Sequence, residues 1–420
     1  MHVTQPVDPA FRPNHWRLAV AQLLSGIGIA SGVAVGAILV EEMADSTELA
    51  GFAQTATILG AGLVGFPLSK LATLRGRRTA LGLGFGLGAV GAVLILLGVQ
   101  LDQLVVLFLG LTLFGSASAA GLQSRYAATD LAPAHKRASA MSVVIWATTV
   151  GSVAGPQLTA PGAAMGELLG LHHLVGPYLF SVVAFVLATL VTLSMREPQR
   201  PLSETSGDTN MTMLDCLKLA WAHPVAFFGM TTVVTGHIMM VAVMVMTPVH
   251  MHHEDMSLTV IGVVISGHIF GMYGLSPIVG WLTDRLGPRA VVSIGMVLFL
   301  VTFAVGILDA VGESSLARLI PTLFLLGVAW SCTLIAGSAI VIDSVDASVR
   351  VPFQGTVDAL MNFGAAAVTA ATGTVLALYG FVGINLLATA VLALLLVVAI
   401  RARRHPMASD VSVGRARAPR

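Results

Sequence analysis

Charge is scarce in this chain. Of its 420 residues only 10% are Asp, Glu, Lys or Arg, against about 25% in an ordinary soluble domain. Cysteine is scarcer: Cys216 and Cys332 stand far apart, in no C-x-x-C arrangement. Each shortage excludes something. A net charge of +1 gives no basic field for a nucleic acid. The two cysteines make neither a disulfide framework nor a zinc site. No nucleophile–base set, phosphate loop or carboxylate cluster appears, so the chain does not read as an enzyme. What is abundant is apolar, at 56%. No soluble core encloses so much apolar surface, so lipid must serve as part of the solvent.

Apolar runs of roughly 20 residues mark the expected transmembrane helices. They are Leu18–Val40, Ala50–Leu71, Leu81–Val99, Leu104–Leu122, Ala138–Leu158 and Val175–Leu193, then Val225–Val249, Leu258–Trp281, Val291–Leu308, Ile320–Ile342, Thr356–Leu376 and Val382–Ile400. The first begins after Arg17, is too long for a signal-peptide core, and reads as a retained span. Polar residues 196–221 divide the runs six and six. The expected fold class is therefore an all-α integral membrane protein with 12 transmembrane helices in two pseudo-symmetric six-helix bundles. The expected segments are 1–195, a linker 196–221, 222–402 and a tail 403–420.

Basic residues set the expected orientation. With the N-terminus inside, Arg75, Arg77, Arg78, Lys136, Arg137, Arg285, Arg289, Arg350, Arg401, Arg403 and Arg404 all fall on the cytoplasmic side, and Arg318 alone falls outside. Both termini are then cytoplasmic. The halves also echo each other. Asp130 and Arg137 follow the fourth span, and Asp343 and Arg350 follow the tenth (343 − 130 and 350 − 137 are both 213). Gly76 and Arg78 follow the second span, and Gly287 and Arg289 the eighth (287 − 76 and 289 − 78 are both 211).

The stretch Gly280-Trp281-Leu282-Thr283-Asp284-Arg285-Leu286-Gly287-Pro288-Arg289 resembles the G-x-L-x-D-R-x-G-x-R loop of the major facilitator superfamily. The resemblance covers Leu18 to Ile400 and implies two six-helix halves that work by alternating access. It casts Asp284, Arg285 and Arg289, with Asp130, Arg137, Asp343 and Arg350, as a cytoplasmic gate. The first-half loop departs from the pattern, with Ser69, Thr73 and Leu74 in place of Gly, Asp and Arg. Gly151, Gly155 and Pro156 resemble the G-x-x-x-G-P element of proton-coupled exporters, and serve equally for helix packing and a kink.

The seventh and eighth spans collect thioethers and imidazoles. Met240 and Met244 share a helix face at i, i+4, with His237 on the same stripe. His268 and Met272 repeat the spacing on the next span. At 1.5 Å per residue, Met240 and His268 each lie roughly 15 Å below the outer surface, near the bilayer midplane. Soft, neutral thioethers select Cu(I), imidazole accepts either copper state, and neither leaves a negative charge in lipid. Zinc would more often call for thiolates and carboxylates, magnesium for several carboxylates. The next loop, with His250, Met251, His252, His253 and Asp255, reads either as a collecting surface for metal or as an ordinary solvated loop.

The paired M-x-x-x-M and H-x-x-x-M pattern resembles the CcoA-type copper importers of the superfamily. That resemblance implies inward copper transport, with copper as substrate and no permanently bound cofactor, a cytoplasmic copper acceptor and a role in supplying cytochrome oxidase assembly. The setting expected is a bacterial cytoplasmic membrane, with the lipid bilayer and no nucleic acid as partner, and a monomer. A proton-coupled exporter of drugs or small metabolites stays open beside it, as does a membrane receptor or chaperone that binds copper without flux. Asp358, one turn into the eleventh span, reads either as a proton-coupling group or as a helix N-terminal carboxylate near Arg350. Cys332 reads as an inert buried thiol or an auxiliary ligand.

Overall fold

The computed structural model describes residues 9–45, 47–130, 132–196, 211–254, 256, 258–312 and 314–405. Among them the regular structure is helical throughout, with no strand. That follows from the composition: in hydrocarbon each backbone N–H and C=O must find its partner within the protein, and a helix does so within one segment.

The first half runs α1 (Phe11–Ala44), α2 (Thr47–Gln100), α3 (Leu104–Asp130), α4 (Arg137–Gln157), α5 (Thr159–Leu168) and α6 (Gly176–Leu193). A short helix α7 (Met213–Ala222) follows. The second half runs α8 (Pro224–His253), α9 (Leu258–Ile269), a π-helical turn (Phe270–Gly274), α10 (Ser276–Leu286), α11 (Pro288–Val311), α12 (Leu316–Asp343) and α13 (Ala347–Ala402).

Two of these are too long to cross once. α2 has 54 residues and α13 has 56, which is about 80 Å of helix against a hydrocarbon core of about 30 Å. Each breaks at a glycine with positive φ. Gly76 has φ 81°, ψ 162° and Gly380 has φ 64°, ψ −167°. The ten long apolar helices among the described residues therefore supply the twelve spans that the sequence leads one to expect, two helices counting double. α9, the π turn and α10 together form the eighth span.

The chain packs into two compact units. The first comprises 1–134, 143–210 and 354–363; the second comprises 135–142, 211–353 and 364–420. Phe114 anchors the first, with Tyr178 at 5.6 Å and Phe185 at 5.2 Å between ring centroids, both edge-on. The tenth span, α12, anchors the second. Its apolar window is 89% buried, against 39–56% for the other spans, so it is the helix on which its neighbours pack.

Candidate functional site

His268 is fully buried on α9. Its Nδ1 lies 2.8 Å from the backbone carbonyl of Leu323 on α12. A carbonyl only accepts, so Nδ1 carries the proton and Nε2 carries the lone pair. Nε2 is buried with no hydrogen-bond partner among the described residues. Met272, also buried, sits four residues on, inside the π turn. The turn fits closely against α12, where Gly327 meets the backbone of His268 and Met272 with no room for a Cβ.

On α8, Met240 is buried and Met244 half-buried. Nδ1 of His237 accepts a 3.0 Å hydrogen bond from Nε1 of Trp330 on α12. An indole N–H only donates, so this lone pair of His237 is engaged. α12 lies against both α8 and α9, which touch each other little. His268 and Met272 thus lie on one span and His237 and Met240 on another, and the two imidazoles bond α12 at Leu323 and Trp330. Cys332 of α12 is buried beneath Gly295 of α11. Among the described residues no three His, Cys, Asp or Glu side chains group as metal ligands.

The expected collecting loop begins as helix. α8 runs through His253, and His250 and Met251 are buried on it. The His250 ring stacks flat on Phe381, with centroids 4.4 Å apart at 1°. Its Nε2 stands 3.9 Å from Asp309. Asp309, 1% exposed, accepts from Arg318 Nε at 2.9 Å, Ser314 Oγ at 2.7 Å and Ser315 N–H at 2.9 Å. Arg318, the lone basic residue expected outside, therefore serves locally, neutralising a buried carboxylate. The side chains of His252 and His253, and Asp255, lie outside the described residues.

At the opposite end the polar residues split between the units. In the first, Arg77 Nε bonds Asp130 at 2.8 Å and its Nη2 bonds Gln354 Oε1 at 2.7 Å. In the second, the Asp284 carboxylate accepts from Ala138 N–H at 3.1 Å, Ser139 N–H at 2.9 Å and Ser139 Oγ at 2.5 Å. It caps the first turn of α4, where free N–H groups and the helix dipole favour a negative charge. Arg137 bonds Asp343 at 2.8 Å, with Arg350 within electrostatic reach of the same carboxylate. Arg289 closes the end of α13 through the carbonyls of Ala402, at 3.1 Å, and His405, at 2.5 Å. Arg285 lies over the Trp281 ring, 5.1 Å from its centroid.

Sequence reasoning misses the most unusual pair in the first unit. Arg125, 1% exposed on α3, bonds Asp358 Oδ1 at 2.5 Å, and Asp358 is likewise 1% exposed. Arg125 also donates to Tyr126 Oη at 3.3 Å and to the carbonyl of Leu122 at 3.1 Å. Among the described residues, the second carboxylate oxygen of Asp358 is buried without a hydrogen-bond partner, as are Oε1 of Gln123 and Nε2 of Gln354. The sequence places Asp358 near Arg350; its partner is Arg125. The signal that could have found it is the arginine itself, three residues beyond a run that ends at Leu122.

A family model for the Major Facilitator Superfamily matches residues 18–275 and 240–419. The chain belongs to this superfamily. It is 35% identical over 389 residues to the uncharacterized MFS-type transporter YdeG of Bacillus subtilis, covering 90% of this chain and 89% of that one. It is 27% identical over 396 residues to the riboflavin transporter RfnT of Brucella anthropi, covering 92% and 95%. The fucose:proton symporter FucP of E. coli superposes with a TM-score of 0.74 at 14% identity, over 94% of this chain and 99% of that one. A bacterial homologue of the iron transporter ferroportin gives 0.67 at 16% identity, over 93% and 99%.

Membership of the superfamily makes this a multi-pass membrane transporter rather than an enzyme, and sets the chemical question for each polar group in a span. An ionisable side chain there is costly, and it usually lines a path or pairs with another. Arg125 and Asp358 pair. His268 is held in one tautomer by a backbone carbonyl, the arrangement that outer partners give to ligating imidazoles.

Proposed function

We propose that this chain is a proton-coupled transporter of a small organic solute in a bacterial cytoplasmic membrane, with Arg125 and Asp358 as the coupling pair. The observation that carries the reading is an ion pair almost wholly out of solvent on the fourth and eleventh spans, with one oxygen of Asp358 unsatisfied. A carboxylate so placed has two stable states. Ionised, it holds Arg125; protonated, it releases it. A solute that binds the two states unequally is coupled to the proton by that difference. The basic-residue distribution supports cytoplasmic termini, and halves of six spans each, 1–195 and 222–402, support rocking about a central site. The riboflavin transporter among its relatives makes riboflavin the first compound to assay.

Proteoliposomes of the full chain test this with riboflavin and a panel of neutral and cationic drugs. A solute is expected to accumulate under an imposed pH gradient. Asp358→Asn is expected to retain counterflow of that solute and lose gradient-driven accumulation. Gradient-driven accumulation undiminished in Asp358→Asn overturns the assignment.

A second reading, copper import through Met240, Met244, His268 and Met272, is supported by the buried, unpartnered Nε2 of His268. In it copper is the substrate and passes to a cytoplasmic acceptor, His237 lies on the same stripe as Met240 and Met244, and the chain works as a monomer. Radioactive copper uptake into the same proteoliposomes decides it. Uptake no greater than in empty liposomes removes the reading, and uptake equal in wild type and the His268→Ala, Met272→Ala variant removes the site.

A further inference from the structure

The helix that joins the two halves presents an apolar face that is exposed among the described residues. α7 is short, but its start is fixed by a capping box. Asp215 N–H donates to Thr212 Oγ1 at 3.2 Å, and Thr212 N–H donates back to Asp215 Oδ2 at 3.0 Å. Cys216 and Ala220, one turn apart, are fully buried. The other face carries Leu214, Lys218 and Trp221, at i, i+4 and i+7. Leu214 is 65% exposed and Trp221 79%.

Two observations fix what that face meets. The Trp221 ring stands edge-on to Phe227, centroids 5.4 Å apart, and Phe227 lies in the first turn of α8, the seventh span. Trp221 is thus level with the point at which a transmembrane helix leaves the hydrocarbon. Trp281, 50% exposed near the end of the antiparallel eighth span, with Arg285 over its ring, marks the same level. Tryptophan and long cations concentrate at that depth, where an amphipathic ring bridges acyl chain and headgroup and an ammonium reaches phosphate. The preceding residues 197–210 lie outside the described residues.

We infer that α7 lies on the bilayer, with Leu214 and Trp221 in the headgroup–acyl boundary of the leaflet at which the sixth and seventh spans emerge, and Lys218 among the lipid phosphates. The occupant of this face is a phospholipid surface, and the linker between the halves is tethered to it rather than free in solution.

Nitroxide labels at Leu214→Cys, Lys218→Cys and Trp221→Cys, one per protein, test this in vesicles of phosphatidylcholine and phosphatidylglycerol. The native thiols, Cys216 and Cys332, are both buried. Labels at 214, 218 and 221, which share one helix face, are expected to collide with dissolved oxygen more than with a water-soluble nickel chelate. Nickel access exceeding oxygen access at 214 and 221 overturns the proposal, because the face is then solvated. Loss of collisions with both reagents also overturns it, because protein then covers the face. The three sites are independent and exposed, so one misfolded variant does not remove the test.

Discussion

Removing either member of the Arg125–Asp358 pair leaves the other charge buried without its counter-ion. The cost of such a truncation is about 3–5 kcal/mol, whereas replacing both partners by apolar side chains of similar volume is often neutral or stabilising. Asp358→Ala is therefore expected to lower the thermal unfolding midpoint in mild detergent strongly, and Arg125→Met with Asp358→Leu to recover most of the loss. The double variant is expected to remain inactive in gradient-driven transport, which separates the structural cost of the pair from its use. Recovery of transport along with stability would reduce the pair to a packing element. Asp358 is visible in the sequence as an intramembrane carboxylate, but its partner is not. Arg125 looks like the end of a span because the apolar run stops at Leu122, yet α3 continues to Asp130. Nothing in a single sequence ties Arg125 to a residue 233 positions away. The opposite holds for His268, Met240 and Met272: their burial follows from the run of apolar neighbours, but which helix each faces depends on α12.

At the scale of elements the two halves keep the same devices and exchange some of the residues. Gly76 and Gly287, matched in the sequence by position alone, share one backbone shape, with φ 81° and 88° and ψ 162° and 150°. That region is open only to glycine, so Gly287→Ala is expected to cost about 1–3 kcal/mol, read as a lower unfolding midpoint. A wild-type midpoint would mean that the loop relaxes. Ser69 looks like a degraded glycine when the first-half loop is compared with its family pattern. In the second unit Gly280 fits against Ser142; in the first, Ser69 fits against Gly355. The small residue has moved to the other helix of the pair. Gly355→Ala is accordingly expected to destabilise, and Ser69→Gly to offset much of that loss in the double variant, a coupling that unfolding midpoints of the four proteins measure.

Asp284 has no such counterpart, since the Thr73 hydroxyl turns back to its own helix at the carbonyl of Ser69. Loss of the α4 cap in Asp284→Ala is expected to cost about 1–2 kcal/mol, with faster hydrogen exchange at Ala138 and Ser139 as the local reading. The capping box of α7 gives a pH prediction. Hydrogen bonds from the Thr212 hydroxyl and N–H hold the Asp215 carboxyl below its ordinary 3.8. The folded value lies below the unfolded one, so the cap is fully effective above the unfolded value and is lost as pH falls through the folded value. Hydrogen exchange in α7 is expected to show no loss of protection between neutral pH and about pH 5, and fraying only in stronger acid.

The whole molecule is a duplicated set of spans whose compact units do not follow the sequence halves throughout. Residues 135–142 belong to the second unit and 354–363 to the first, so each unit takes one short segment from the other half of the chain. Hydropathy and basic-residue counts could supply the number of spans, because both are properties of local sequence in contact with lipid or water. They could not supply this exchange, which is held by Asp284 capping a helix that starts at Arg137, by Arg137 bonding Asp343, and by Arg77 and Arg125 bonding Gln354 and Asp358. None of the residues in these links lies within the polar stretch 197–210. Two pieces made separately, one ending and the other starting within it, therefore each retain six spans and every residue of the contacts between segments. Co-expressed, they are expected to co-purify through a tag on one piece and to restore transport of whichever solute the intact chain carries. Asp284→Ala combined with Gln354→Leu is expected to weaken co-purification of the pieces while leaving the intact chain folded. Co-purification undiminished by the double substitution would place the adhesion of the pieces in the remaining ion pairs and the apolar span surfaces instead.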